Sequence, residues 1–164
     1  MLDILSGGIL GSIFGGVFRL APEVLKWMDK KNEREHELNK LLQLGATLNS
    51  KGVKKVIFMG PAPMFRGALP EILVKSYPLT LETIQRTSKV FPERMALNKI
   101  LEEGLNAAGF SYANLIDLLC NSNGCLVKLG DDVKTSITTW DSGHFTPITS
   151  DFVAKNLLIP IILN

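Results

Sequence analysis

The sequence predicts an α/β domain carrying an N-terminal helical extension. Three neighbouring stretches carry that prediction. "VKKVIFMG" (53–60) is a short apolar run bounded by Gly52 and by Gly60-Pro61, the pattern of a buried parallel strand. "PERMALNKILEEGLNAAG" (92–109) has proline at its start, glycine at its end, and Met95, Ile100, Leu101 and Leu105 toward one side, the pattern of a helix. "FSYANLIDLL" (110–119) then includes the next strand.

The remaining elements follow in chain order. Residues 1–20 form a glycine-rich apolar head. Residues 21–50 read as an amphipathic, charged helix with Pro22 in its first turn and Gly52 beyond its end. Its middle, "DKKNEREHE" (29–37), is a solvated stretch that includes His36; Lys31 and Glu35 can pair at i,i+4. Leu38, Leu41, Leu42 and Leu48 resume an apolar stripe. Residues 51–164 then make the α/β domain. "PAPMFRGALP" (61–70) is a loop after the C-terminal end of the first strand, the end that faces ligands in open α/β sheets. A short helix is expected over 70–77, and a strand or extended segment over "TSITTW" (135–140). A final helix over 146–161 is expected to be capped near Thr146 and to stop before Pro160.

The bulk numbers suit one domain with an appendage. The chain has 164 residues, 46% hydrophobic and 21% charged, enough to bury a core. A net charge of +2 with no basic stripe argues against nucleic acid. Residues 4–18, "ILSGGILGSIFGGVF", are apolar or small, yet Asp3 stands where a signal peptide needs a basic region. The stretch is also shorter than the ~20 residues that span a bilayer as a helix. Gly7, Gly11 and Gly15, with Gly8, Ser12 and Gly16 beside them, form the small-residue ridges of close helix packing. That pattern predicts membrane contact or oligomer contact through residues 4–18, against the alternative of a flexible leader.

Cys120 and Cys125 bracket a turn-rich loop and lack the second ligand pair of a zinc site. The residues leave two readings open. A disulfide would contribute about 2 kcal/mol through loop closure in an oxidising setting; otherwise the pair are buried free thiols. No metal site and no cofactor motif is expected.

"TTWDSGHFTP" (138–147) carries the chemistry. It places Asp141 three residues before His144 on one loop ahead of a helix. A serine hydroxyl attacks only when a base removes its proton; histidine does this near neutral pH, and a carboxylate fixes its tautomer. D-x-x-H alone is a weak signal, and a loop histidine beside a helix-capping aspartate gives the same spacing.

From about residue 38 to 158 the chain resembles the C-terminal half of an SGNH (GDSL-type) hydrolase domain. The likeness is to the extracytoplasmic domain of membrane O-acyltransferases that acetylate surface polysaccharides. It rests, in order, on "GVKKVIFMGPAPMFRGALP", "IDLLCNSNGCLVKLGDD", "TSITTWDSGHFTP" and "TSDFVAKNLL". The resemblance implies an incomplete three-layer α/β/α, flavodoxin-like fold. It implies Asp141 as the orienting acid, His144 as the base, a Cys120–Cys125 disulfide and a periplasmic setting. By the same likeness Pro61, Pro63 and Trp140 line or support the substrate crevice, with core packing the alternative for Trp140 and Phe145.

The family's early nucleophile motif is not visible. No G-D-S occurs; "LGDD" (129–132) has Asp132 where serine is needed, and Ser6 lacks a preceding strand. The expectation is therefore a carbohydrate O-acyl esterase or O-acetyltransferase domain without its nucleophile half, weakly active or inactive alone. Its ligand would be a carbohydrate or acyl ester. The four or so strands after residue 53 should leave a sheet edge that self-associates or takes a partner chain. Residues 1–38 also resemble the start of small tailed-phage proteins encoded near virion genes. That likeness implies the competing function, a virion-associated structural or membrane-interacting protein assembling through its head and helix.

Overall fold

The computed structural model describes the backbone of residues 9–163 and the side chains of residues 29–163. The chain divides into two units, Met1–Lys40 and Leu41–Asn164. Residues 1–8, with Ser6 and the start of the apolar head, lie outside the described residues.

Helix α1 runs from Ile9 to Ser50 and contributes to both units. Its start corrects the expected boundary: Pro22 lies inside the helix, not in its first turn. Ile9, Leu10, Ile13, Phe14, Val17 and Phe18 recur at helical spacing, so the helical pattern begins upstream of the proline. Lys31 Nζ lies 3.7 Å from Glu35 as an exposed pair. The C-terminus ends as expected. Gly52 has φ +85°, its N–H donates to Asn49 O at 3.0 Å, and Val53 N–H donates to Leu48 O at 3.1 Å. These two bonds satisfy carbonyls that the last helical turn leaves open.

The second unit is α/β, with two small sheets. β1 (Ile57–Met59) pairs in parallel with β3 (Ser111–Ala113), and Gly60 N–H extends the ladder to Ala113 O at 2.9 Å. Between them lie α2 (Leu69–Ser76) and α3 (Pro92–Ala107), close to the expected ranges. α3 ends like α1: Gly109 has φ +81°, and Phe110 N–H reaches Leu105 O at 3.0 Å. Phe58 is buried and meets Phe110 edge-on, ring centroids 5.3 Å apart. A Cβ at Gly45 would overlap that Phe110 ring, so glycine lets α1 lie close to it. The expectation of a fully buried β1 needs correction, because Met59 is 53% exposed. Among the described residues β1 pairs on one side only.

α4 (Leu115–Leu119) is capped by Asn114, whose side chain accepts from Asp117 N at 3.0 Å. β4 (Cys120–Asn121) and β5 (Gly124–Leu126) form a hairpin, and β2 (Arg86–Thr87) pairs with β5 antiparallel. Cys120 and Cys125 face each other in this hairpin and form a disulfide, which removes the free-thiol alternative. Arg86 Nη1 ties the hairpin down by donating to Leu119 O and Gly124 O, each at 3.0 Å. The main core joins Phe65, Leu69, Ile72 and Leu73 to Val90, Cys125, Val127, Val133 and Ile137.

Two expected elements differ. The start of 135–140 is helical, because Asp132 caps α5 (Val133–Ser136) by accepting from Lys134 N at 2.9 Å. Residues after it make only isolated bridges, Lys128–Ile137 and Thr139–Phe145. The expected four-strand sheet is therefore a parallel pair plus a separate antiparallel sheet. The last helix also continues past Pro160. α6 (Pro147–Val153) passes into a π-helical stretch, Ala154–Leu158, and then α7 (Ile159–Leu163). Proline lacks an N–H and crowds the carbonyl four residues back; the wider π turn just before it relieves both problems. Thr146 stands at the N-cap position but its side chain accepts no backbone N–H; its hydroxyl donates to Ile137 O at 2.7 Å and lies 3.1 Å from Thr149 Oγ1.

Among the described residues no helix is long and apolar enough to cross a membrane.

Candidate functional site

The Asp141–His144 loop is closed at its base by the Thr139–Phe145 bridge and by Trp140 N–H donating to His144 O at 3.0 Å. Within it, Asp141 Oδ1 accepts the backbone N–H groups of Gly143 and His144, each at 2.8 Å. Its Oδ2 lies 2.6 Å from His144 Nδ1. The Gly143 N–H, then the His144 N–H and the imidazole, hold the Asp141 carboxyl well below the usual carboxylate range. An ionised Asp141 accepts a hydrogen bond from Nδ1–H. In the neutral ring, Nε2 then carries the free lone pair, and it has no partner among the described residues.

The 61–68 loop buttresses this turn. Phe65 N–H donates to Ser142 O at 2.7 Å and Leu69 N–H to Asp141 O at 3.0 Å. From the other side, Phe91 N–H holds Met64 O at 2.8 Å. Between loop and turn opens a crevice of about 190 Å³, lined by Ala62, Pro63 and Met64, by Arg94, and by Ser142, Gly143 and His144. The His144 side chain is 89% exposed, so its ring stands at the mouth. Arg94 comes from the first turn of α3, and its Nη2 approaches Met64 Sδ at 3.9 Å.

Asp141, His144 and Pro63 thus come together. Pro61 is half-buried and lies off the crevice lining. Trp140 is 61% exposed, so it neither lines the crevice nor packs in the core. Phe145 packs against Leu115, Leu119 and Val153. Asp132 is a helix cap and His36 is exposed on α1. Arg94, Met64 and Ser142 were not singled out by sequence. Ser142 sits inside the quoted motif, but nothing marks Arg94 until α3 is packed. Among the described residues no group of three or more His, Cys, Asp or Glu side chains could hold a metal ion.

No family model matches the chain, and no curated protein matches it. Its structure is similar to that of a lipopolysaccharide acetyltransferase periplasmic domain from Salmonella ser. Paratyphi A. The TM-score is 0.69 and the identity 22%, over 80% of this chain and 51% of that one. The shared property is the fold, of α/β type, and the chain spans about half the length of the domain it matches. Nothing in these comparisons supports the phage-like resemblance of residues 1–38.

Proposed function

We propose that this chain is the acid–base half of an SGNH-type carbohydrate O-acyl esterase or O-acetyltransferase. The carrying observation is the 2.6 Å contact between Asp141 Oδ2 and His144 Nδ1, with the imidazole at the mouth of the crevice. In this reading His144 Nε2 removes the proton of a nucleophilic hydroxyl as that oxygen attacks an acyl carbonyl. The imidazolium, stabilised by Asp141, then protonates the departing alkoxide. A sugar hydroxyl or water, deprotonated in turn by His144, then attacks the acyl intermediate, and the imidazolium returns the proton to the released nucleophile oxygen. The similarity to a lipopolysaccharide acetyltransferase domain supports a glycan as acyl acceptor.

The nucleophile and oxyanion donors belong, in this reading, to a second polypeptide segment that docks along the open side of β1. Among the described residues β1 is paired only with β3, which leaves its other edge for that segment. Loss of one oxyanion donor alone costs about 3 kcal/mol of barrier reduction, so the chain by itself is a weak catalyst.

p-Nitrophenyl acetate hydrolysis tests the base. Wild type should show a slow rate that His144→Ala removes; equal rates in both would overturn the assignment. Intact-mass analysis after turnover should show no stable acyl adduct, and an acetylated Ser142 would move the nucleophile into this chain. Sedimentation tests the docking edge. Concentration-dependent association that Met59→Lys weakens is expected, and a monomer at all concentrations would count against it.

A further inference from the structure

The 63–69 segment also lines a second opening, whose walls do not include His144. It is a cleft of about 290 Å³ lined by Arg66, Gly67, Ala68, Glu71, Ile72, Lys75, Ser76 and Lys89. Its charge is lopsided. The whole chain carries only +2, yet Arg66, Lys75 and Lys89 meet here against Glu71 alone. Lys75 is engaged with that carboxylate, Nζ to Oε2 3.0 Å. Arg66 gives only its Nε, to Val90 O at 3.0 Å, so both terminal guanidinium nitrogens stay available. Lys89 has no carboxylate partner among the described residues. Three cationic side chains therefore share one concave site with a single carboxylate.

Their position is fixed by backbone. Arg66 N–H donates to Lys89 O at 2.9 Å, which brings the two side chains together. Gly67, with φ +147°, then turns the chain into α2, a conformation that side chains other than glycine rarely adopt. The same segment carries Pro63 and Met64 on the His144 crevice, and its Leu69 N–H bonds Asp141 O. One segment therefore contributes to the lining of both openings.

We infer that the Arg66–Lys89 cleft binds the anionic group of an acidic sugar residue, a carboxylate or a phosphate ester, on the glycan whose neighbouring residue is presented to His144. This rests on the glycan acyl-transfer reading for its second half only; the anion site stands on the cleft. A guanidinium with two free nitrogens matches a carboxylate or phosphate edge, and Lys89 adds a point charge. The Lys75–Glu71 pair closes the far wall.

The test is amide-resolved titration of the full chain carrying His144→Ala, so that binding is read without turnover. The probes are trigalacturonate, glucose 6-phosphate and neutral maltotriose. Shifts at Arg66, Gly67 and Lys89 are expected with either or both anionic probes, and which one binds tells carboxylate from phosphate. Lys89→Gln and, separately, Arg66→Gln should weaken the binding about tenfold. Lys99→Gln, which removes one charge from an exposed pair with Glu103, should not. Lys89 is exposed, so its variant folds even if Arg66→Gln loosens the loop. Binding of neither anion, equal binding of maltotriose, or equal weakening by Lys99→Gln would overturn the inference. Anion binding without any His144-dependent esterase activity in the wild-type chain would leave this site standing and remove the catalytic reading alone.

Discussion

Asp141 contacts His144 twice: Oδ1 accepts its backbone N–H at 2.8 Å, and Oδ2 meets its imidazole Nδ1 at 2.6 Å. One carboxylate therefore shapes the turn and orients the ring. The two roles separate by substitution. Asp141→Asn keeps an oxygen for the backbone N–H groups but places an NH2 or a weaker acceptor against Nδ1. It should preserve the fold and abolish the His144-dependent rate. Asp141→Ala should lose the turn as well, visible as shifted amides at Gly143 and His144. An active Asp141→Asn would show that the carboxylate does not serve the base.

The same hydrogen bonds set a pH expectation. The folded Asp141 carboxyl titrates below its ordinary value, so its contribution is present above the ordinary carboxylate range. It is lost only as pH falls below that range toward the folded value. In a carboxyl-carbon NMR titration Asp141 should stay ionised below the ordinary carboxylate range. Protonation within that range would contradict the geometry.

Much of this was legible because it is local. Asp141 and His144 are three residues apart, and a turn is enough to join them. Gly52 and Gly109 ended their helices as expected because only a positive φ completes those caps. What escaped the sequence depends on competition or on distant packing. Asp132 captured residues 133–136 as a helical turn, which overlaps the start of the strand or extended segment expected over 135–140. Pro160 would normally stop a helix, and only the π-helical stretch before it carries the chain through. Arg94 reaches the crevice from another element, and Met59 looked buried only on the assumption of a sheet extending past β1.

Tyr112 supplies an alkaline counterpart. Its hydroxyl donates to Asn98 Oδ1 at 2.9 Å, and burial, with Glu102 and Asp117 adding to it, pushes the phenol up to about 12. A raised folded pKa means that the contribution is complete below the ordinary value near 10 and is lost as pH rises through about 12. Wild type should lose stability across that window more steeply than Tyr112→Phe. The variant should also cost about 1 kcal/mol at neutral pH, because Asn98 Oδ1 loses its donor. Parallel pH profiles in denaturant unfolding would refute the coupling.

The disulfide closes a short loop, with a sequence separation of 5 between Cys120 and Cys125. Loop-closure entropy gives it about 2 kcal/mol. Cys120→Ser with Cys125→Ser should lower the melting temperature by about 5–10 °C. Reductant should bring the wild type to the same value and leave the double variant unmoved. A reductant effect in the double variant would place the sensitivity elsewhere.

The hairpin offers a sharper test of packing, through two glycines that share a positive φ. Gly52 has φ +85° and open space where a Cβ would sit; Gly124 has φ +108°, and its Cβ would strike the Thr87 carbonyl oxygen across the β2–β5 pairing. Gly52→Ala therefore meets backbone strain alone, about 1 kcal/mol. Gly124→Ala meets the same strain plus a backbone collision that no rotamer relieves, since the struck atom belongs to the neighbouring strand. To relax, β2 must move from β5, which also disturbs the Arg86 bonds to Leu119 O and Gly124 O. The expected loss for Gly124→Ala is at least about 3 kcal/mol, well above that for Gly52→Ala. Urea unfolding of both variants measures the difference, and equal losses would mean that the close approach of β2 to the hairpin turn does not exist.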